Sequence, residues 1–193
     1  MNYKSILHIT LLLISSPARA WEEIRLQTDR QSVFGAFVYP MIGLCGLSTF
    51  IGALITTGWS TPESFQSAMT QCCGVAVSLF GGYYLAAYLL QRLMPRLGLQ
   101  PPELLEIQFF TGYSLVAIFC LRFAVGFLPD FQLIGLLLQF YTVFIVWEGA
   151  PLLLPLDEKR RLPFTLTCSL LLIATPMVIQ LVFNQLTTRL VLL

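Results

Sequence analysis

A chain of 193 residues that is 56% hydrophobic and only 11% charged, with net charge +1 and mean hydropathy +0.77, cannot cover a globule with polar surface; a soluble domain carries about 25% charged residues. Lipid is therefore its solvent. The near-neutral balance also leaves no basic face large enough to follow a phosphate backbone, which excludes nucleic acid as a partner.

Residues 1–20 carry the three parts of a secretory leader: Lys4, the apolar run Ile6 to Ile14, and Ala18-Arg19-Ala20. The competing reading is an amphipathic helix lying in the membrane interface. Lys4 and His8 share one face, and Ile6, Leu7, Ile9, Leu13 and Ile14 lie mostly on the other. The charge count below favours the interfacial helix. His8, the one histidine, reads as an interfacial polar residue, because no Ser, Cys or Asp is placed to complete a triad. Ala18 to Gln31 mixes charges with Trp21, Ile24 and Leu26, which suggests a short surface helix anchored by Trp21 at headgroup level.

Five apolar stretches near the ~20 residues that a bilayer core demands follow at about 34–57, 68–91, 107–128, 132–153 and 164–185. This predicts an all-α integral membrane protein: an N-terminal cytoplasmic or interfacial segment, 1–33, and a five-helix transmembrane domain, 34–193. In the first connection, Thr61-Pro62-Glu63 reads as a helix cap with proline and an acid in the first turn. The second connection carries Arg92 and Arg96, the third is the acidic turn Pro129-Asp130, and the fourth carries Lys159, Arg160 and Arg161. With the N-terminus in the cytoplasm, nine basic residues (Lys4, Arg19, Arg25, Arg30, Arg92, Arg96, Lys159, Arg160, Arg161) fall on that side and only Arg189 on the other. The positive-inside rule thus places the N-terminus inside and the C-terminus outside, and argues against removal of the leader, which would invert every basic loop.

Small residues mark where helices approach in lipid. The second span repeats them at every fourth position, Gly74, Ser78, Gly82 and Ala86, and the first has Ser48, Gly52 and Thr56. These faces are expected to meet each other or a neighbouring helix, and Pro176 is expected to kink the fifth span. Cys45, Cys72, Cys73, Cys120 and Cys168 sit in apolar runs without zinc spacing and read as small buried hydrophobes.

Arg122 is the costliest residue, because a charge at mid-bilayer costs about 2.5–3.5 kcal/mol on the lenient scale. Counting depth places Gln139, Gln180 and, further out, Asp130 as its partners. Glu148 falls two turns away in depth, on the order of 10 Å, among the hydroxyls of Tyr83, Tyr84, Thr111 and Tyr113. The functional reading is a polar pathway between Glu148 and Arg122; the bland reading is two satisfied charges that pin helix order. No phosphate loop, dinucleotide fingerprint, HExxH or nucleophile elbow occurs, so neither catalytic residues nor cofactors nor a metal are expected.

Ser16-Pro17-Ala18-Arg19-Ala20-Trp21-Glu22-Glu23-Ile24 resembles the opening motif of bacterial members of the Yip family of five-span membrane proteins. Tyr141 to Phe164, with Trp147, Gly149, Pro151, Pro155, Glu158 and Lys159, is similar to that family's fourth span and its link into the fifth. The resemblance implies a cytoplasmic leader-like segment, a bacterial inner-membrane location, and roles in membrane organisation or interaction. The family's eukaryotic relatives are Rab-GTPase-interacting proteins, but the long polar N-terminal domain typical of them is not found in these residues, so no Rab-type partnership is expected. The expected function is a non-enzymatic scaffold whose partners are the bilayer, anionic lipids held by Lys159, Arg160 and Arg161, other membrane proteins, or a second copy of the chain. The alternative is a small transporter or channel using Arg122 and Glu148. An intramembrane enzyme has one weak candidate, Cys168 near Glu148.

Overall fold

In the computed structural model of this chain, prolines and glycines mark several helix boundaries, among them Ser16-Pro17, Gly58, Thr61-Pro62 and Gly98. The structure describes residues 3–26, 30, 33–154 and 156–191; Asp29, Gln31 and Pro155, named above, lie outside that set. Four helical stretches are long and apolar enough to cross a membrane: Phe34–Thr57, Pro62–Leu97, Pro129–Leu153 and Glu158–Arg189. A fifth is the pair Leu104–Ser114 and Val116–Phe127, bent by 43°. Four of the five expected spans are thus single helices of crossing length, the count reaches five when the bent pair is taken as one span, and among the described residues there is no strand.

The first span is α3 (Tyr39–Thr57), preceded by a π-helical turn, Phe34–Val38. Pro40 has no N–H to give Ala36, and the ladder relaxes so that the Tyr39 N–H bonds the Phe34 carbonyl instead. Gly58 ends α3 at φ +90°, a conformation open to glycine. Then α4 (Pro62–Leu93) starts as the sequence predicts: the Thr61 hydroxyl accepts from the Ser64 N–H at 3.2 Å, with Pro62 in the first turn and Glu63 behind it. Helices α5 (Leu104–Ser114) and α6 (Val116–Phe127) make the bent third span. The bend follows Gly112, where a Cβ would stand 2.9 Å from Val38 Cγ2, and Ser114; glycine and serine are usual sites of a kink. The fourth span is α7 (Gln132–Leu138) and α8 (Tyr141–Leu153), joined by a tightened turn in which Thr142 N–H bonds the Gln139 carbonyl at 3.0 Å. The fifth is α9 (Glu158–Val191), continuous through Pro163 and Pro176.

The two small-residue ladders meet neighbours, not each other. A Cβ on Gly74 would stand 2.9 Å from the Phe183 ring, and one on Gly82 2.7 Å from Pro176 Cγ, so the α4 ladder is the seat of α9. The Thr175 hydroxyl fastens this contact by donating to the Gly82 carbonyl at 3.0 Å. On α3, Ser48 and Gly52 face Gly126 of α6, where backbone meets backbone: a Cβ on Gly126 would lie 2.8 Å from the Thr49 nitrogen. Of the cysteines, Cys45 and Cys168 are buried, Cys72 and Cys120 half-buried, and Cys73 is exposed on the outer face of α4, which corrects the expectation that all five are buried.

The N-terminal segment forms a helical hairpin, α1 (Tyr3–Ser15) and α2 (Pro17–Arg25), turned at Ser16-Pro17. Ile6, Ile9 and Leu13 of α1 and Ala20, Trp21 and Ile24 of α2 belong to the same buried core as the spans. Trp21, expected as a surface anchor, has no exposed area. Its indole N–H bonds the Ile145 carbonyl at 2.9 Å, and its ring stacks on Phe110 with centroids 5.3 Å apart. At the hairpin tip the Ile14 carbonyl accepts from the Tyr141 hydroxyl at 2.6 Å. Tyr141 opens the 13-residue α8, so the tip lies about 18 Å from the Leu153 end of that helix at 1.5 Å per residue. The hairpin is thus laid along the bundle to about half its height.

Candidate functional site

Two helices bring amide side chains to a guanidinium on a third. Arg122 of α6, Gln132 and Gln139 at the two ends of α7, and Gln180 and Asn184 one turn apart on α9 line a cleft of ≈ 190 Å³. The Arg122 Nε is buried without a hydrogen-bond partner, and so is the Gln180 Oε1, whose own Nε2 donates to Asn184 Oδ1 at 3.0 Å. Depth counting along the sequence places Gln139 and Gln180 level with Arg122, and all three line this one cleft. It adds Gln132 and Asn184; the second is legible as the i+4 neighbour of Gln180 on the same helix face. Asp130 stays exposed in its turn outside the cleft, and among the described residues Arg122 has no ion pair. The lining therefore carries one guanidinium and four amides, each both donor and acceptor, and has no carboxylate.

Glu148 is not part of this arrangement. It is half-buried on α8 and does not line the cleft. Tyr83, one expected partner, gives its hydroxyl to the Gln108 carbonyl at 3.1 Å, and the Tyr84 and Tyr39 hydroxyls bond each other at 2.8 Å. Thr111 Oγ1 is buried with no partner. Tyr113 packs its ring against Trp21, Phe37 and Phe109. A single pathway joining Glu148 to Arg122 is not what these contacts build. Cys168 has no exposed area.

The basic trio divides by role. Lys159 is exposed. Arg160 lies against Gly98, where a Cβ would be 3.2 Å from its Cζ. Arg161 donates from Nε and Nη2 to the Trp147 carbonyl at 3.2 and 2.8 Å and stacks over the Trp147 ring, 4.2 Å from its centroid. The Arg92–Arg96 turn thus meets the start of α9, and Arg30 pairs with Glu106 at the start of α5 at 3.4 Å. These cations share one end of the bundle.

Beside the cleft, on the same face of α6, an apolar groove of ≈ 300 Å³ runs between Ile14, Ala117, Cys120, Leu121, Leu138 and Tyr141; Leu121 lines both. A larger apolar cavity, ≈ 560 Å³, continues from Cys120 between α1 and α3.

Compared with known proteins, the chain matches the family model described as Yip1 domain over residues 11–179. No curated protein and no solved structure matches it.

Proposed function

The chain belongs to the Yip1 domain family, and on that premise we propose that it is a non-enzymatic scaffold that organises the bilayer around it, with its basic end and N-terminus in the cytoplasm of a bacterial cell and its five spans in the inner membrane. The observation that carries this reading is the half-height hairpin. Helix α1 has 13 residues, about 20 Å of helix at 1.5 Å per residue, too short to cross. It buries Ile6, Ile9 and Leu13 against the bundle and turns Leu7, Leu11 and Ile14 outward, with Leu7 and Leu11 about two-thirds exposed. That outward stripe has the spacing of one helix face. A hairpin with apolar residues on both sides, reaching half the height of the spans, adds volume to one leaflet only and favours curvature. The exposed Lys159 and the half-exposed Arg160 lie at the same end and attract anionic headgroups.

Reconstitution tests the reading. Vesicles formed at rising density of the wild-type protein should become narrower in electron micrographs, and a folded L7Q/L11Q/I14Q variant should leave their diameter unchanged. Equal narrowing by both proteins would sink the wedge. Transport is the weaker reading, since the two intramembrane charges it needs are not on one path.

A further inference from the structure

A half-buried guanidinium whose Nε is sealed and unpartnered, set among amides with no carboxylate in reach among the described residues, is half of an ion pair. We propose that the cleft between α6, α7 and α9 binds the anionic headgroup of a membrane lipid, a phosphate or a carboxylate, on Arg122, with an acyl chain in the adjoining groove of Ala117, Leu138 and Tyr141. This deepens the reading of a lipid-organising scaffold by giving it a specific lipid site.

Each part follows from the geometry. The unpartnered Arg122 Nε and the amide N–H groups of Gln132, Gln139 and Asn184 offer donors to oxygen acceptors, and a guanidinium fork matches phosphate and carboxylate; Gln180 gives its Nε2 to Asn184 Oδ1. Asp130 is exposed and outside the cleft, so among the described residues no internal anion takes the place. The level is right for a headgroup: Arg122 lies five residues before Phe127 at the end of α6, about 7 Å at 1.5 Å per residue. The apolar groove begins at Leu121, which it shares with the cleft, and runs toward Ile14 and Tyr141, deeper in the bundle. Polar and apolar compartments side by side, ordered from the end inward, have the form of an amphiphile and not of a free ion.

Native mass spectrometry of the full chain in dodecyl maltoside reads the site directly. The probes are dioleoyl phosphatidylglycerol, dioleoyl phosphatidylcholine, whose phosphate is offset by a bulky choline cation, and inorganic phosphate as an anion without chains. Wild type should retain phosphatidylglycerol at least tenfold more strongly than phosphatidylcholine, and Arg122→Gln should abolish the preference. Gln180→Glu, which places a carboxylate beside the guanidinium, should expel the lipid as well. Leu138→Trp, at a half-exposed position in the groove, should weaken lipid retention severalfold. The thermal midpoint of each variant shows which are folded, and the three act on different helices. An unchanged preference in folded Arg122→Gln or Gln180→Glu overturns the proposal. If phosphate displaces the lipid and Leu138→Trp has no effect, the site takes a free anion and the lipid assignment falls. If Lys159→Gln with Arg160→Gln removes the preference while Arg122→Gln keeps it, this site fails and the scaffold's basic end survives as the lipid contact.

Discussion

Arg161 closes a gap that Pro151 opens at Trp147. In α8 the Trp147 carbonyl would accept the N–H of residue 151, but proline has none, and the Arg161 side chain supplies two N–H groups at 3.2 and 2.8 Å from the next helix. In a membrane protein such a freed carbonyl must find an internal donor. The side chain that looks like a lipid contact in the sequence is therefore a strut between the fourth and fifth spans. Replacing Arg161 with Gln should lower stability by about 1.5–3 kcal/mol, the range for hydrogen bonds to charged groups. A thermal or denaturant midpoint in detergent measures it. Pro151→Ala restores the missing N–H, so the cost of Arg161→Gln should shrink in that background; an undiminished cost in the double-mutant cycle would reject the mechanism.

Gly149 is the floor under Trp21. A Cβ there would overlap the indole, at 2.6 Å from its Nε1. Gly149→Ala should cost about 1–3 kcal/mol, the usual price of overpacking, and should loosen the hairpin. Faster trypsin cleavage at the exposed Arg19 and Arg25 reports the loosening. In the Trp21→Leu background the added methyl should matter much less.

The crossing of α3 and α6 depends on two glycines at one point. A Cβ on Gly52 meets the backbone carbonyl of Gly126, which no side-chain rotation can relieve. Gly52→Ala and Gly126→Ala should each destabilise the fold by more than about 2 kcal/mol. Gly43 has open space around its Cβ position in the same helix. Gly43→Ala should be neutral or stabilising by up to about 1 kcal/mol through helix propensity. Similar midpoints for Gly43→Ala and Gly52→Ala would contradict the crossing.

The Thr61 cap is a surface feature of the second span. Thr61→Ala should cost about 1 kcal/mol, and Thr61→Ser should cost little, because the serine hydroxyl can accept the same N–H.

The sequence was legible where one residue type has one structural use. Hydropathy over twenty residues marked the spans, Thr61-Pro62 marked a helix start, and counting residues from the helix ends put Arg122 level with Gln139 and Gln180. The bend after Ser114 was hidden because it depends on how closely Val33 and Val38 approach Gly112 across the bundle. The hairpin was hidden because α1 is apolar on two sides. Ile6, Ile9 and Leu13 face the core and Leu7, Leu11 and Ile14 face outward, a pattern that an interfacial helix imitates. The Arg161 strut was in principle readable, since a proline within a span orphans the carbonyl four residues earlier. What the sequence did not contain was which cation would reach that carbonyl.

In the proposed scaffold, the N-terminal hairpin enters the cytoplasmic leaflet and stops at half height. Single cysteines at Lys4, Ser15 and Leu26 in a cysteine-free background, labelled in spheroplasts and in inverted vesicles with a membrane-impermeant maleimide, measure it most directly. The positions at Lys4 and Leu26 should label only in inverted vesicles, and Ser15 at the tip should resist label from both sides. Labelling of Ser15 as fast as Lys4, or of Lys4 in intact spheroplasts, would contradict it.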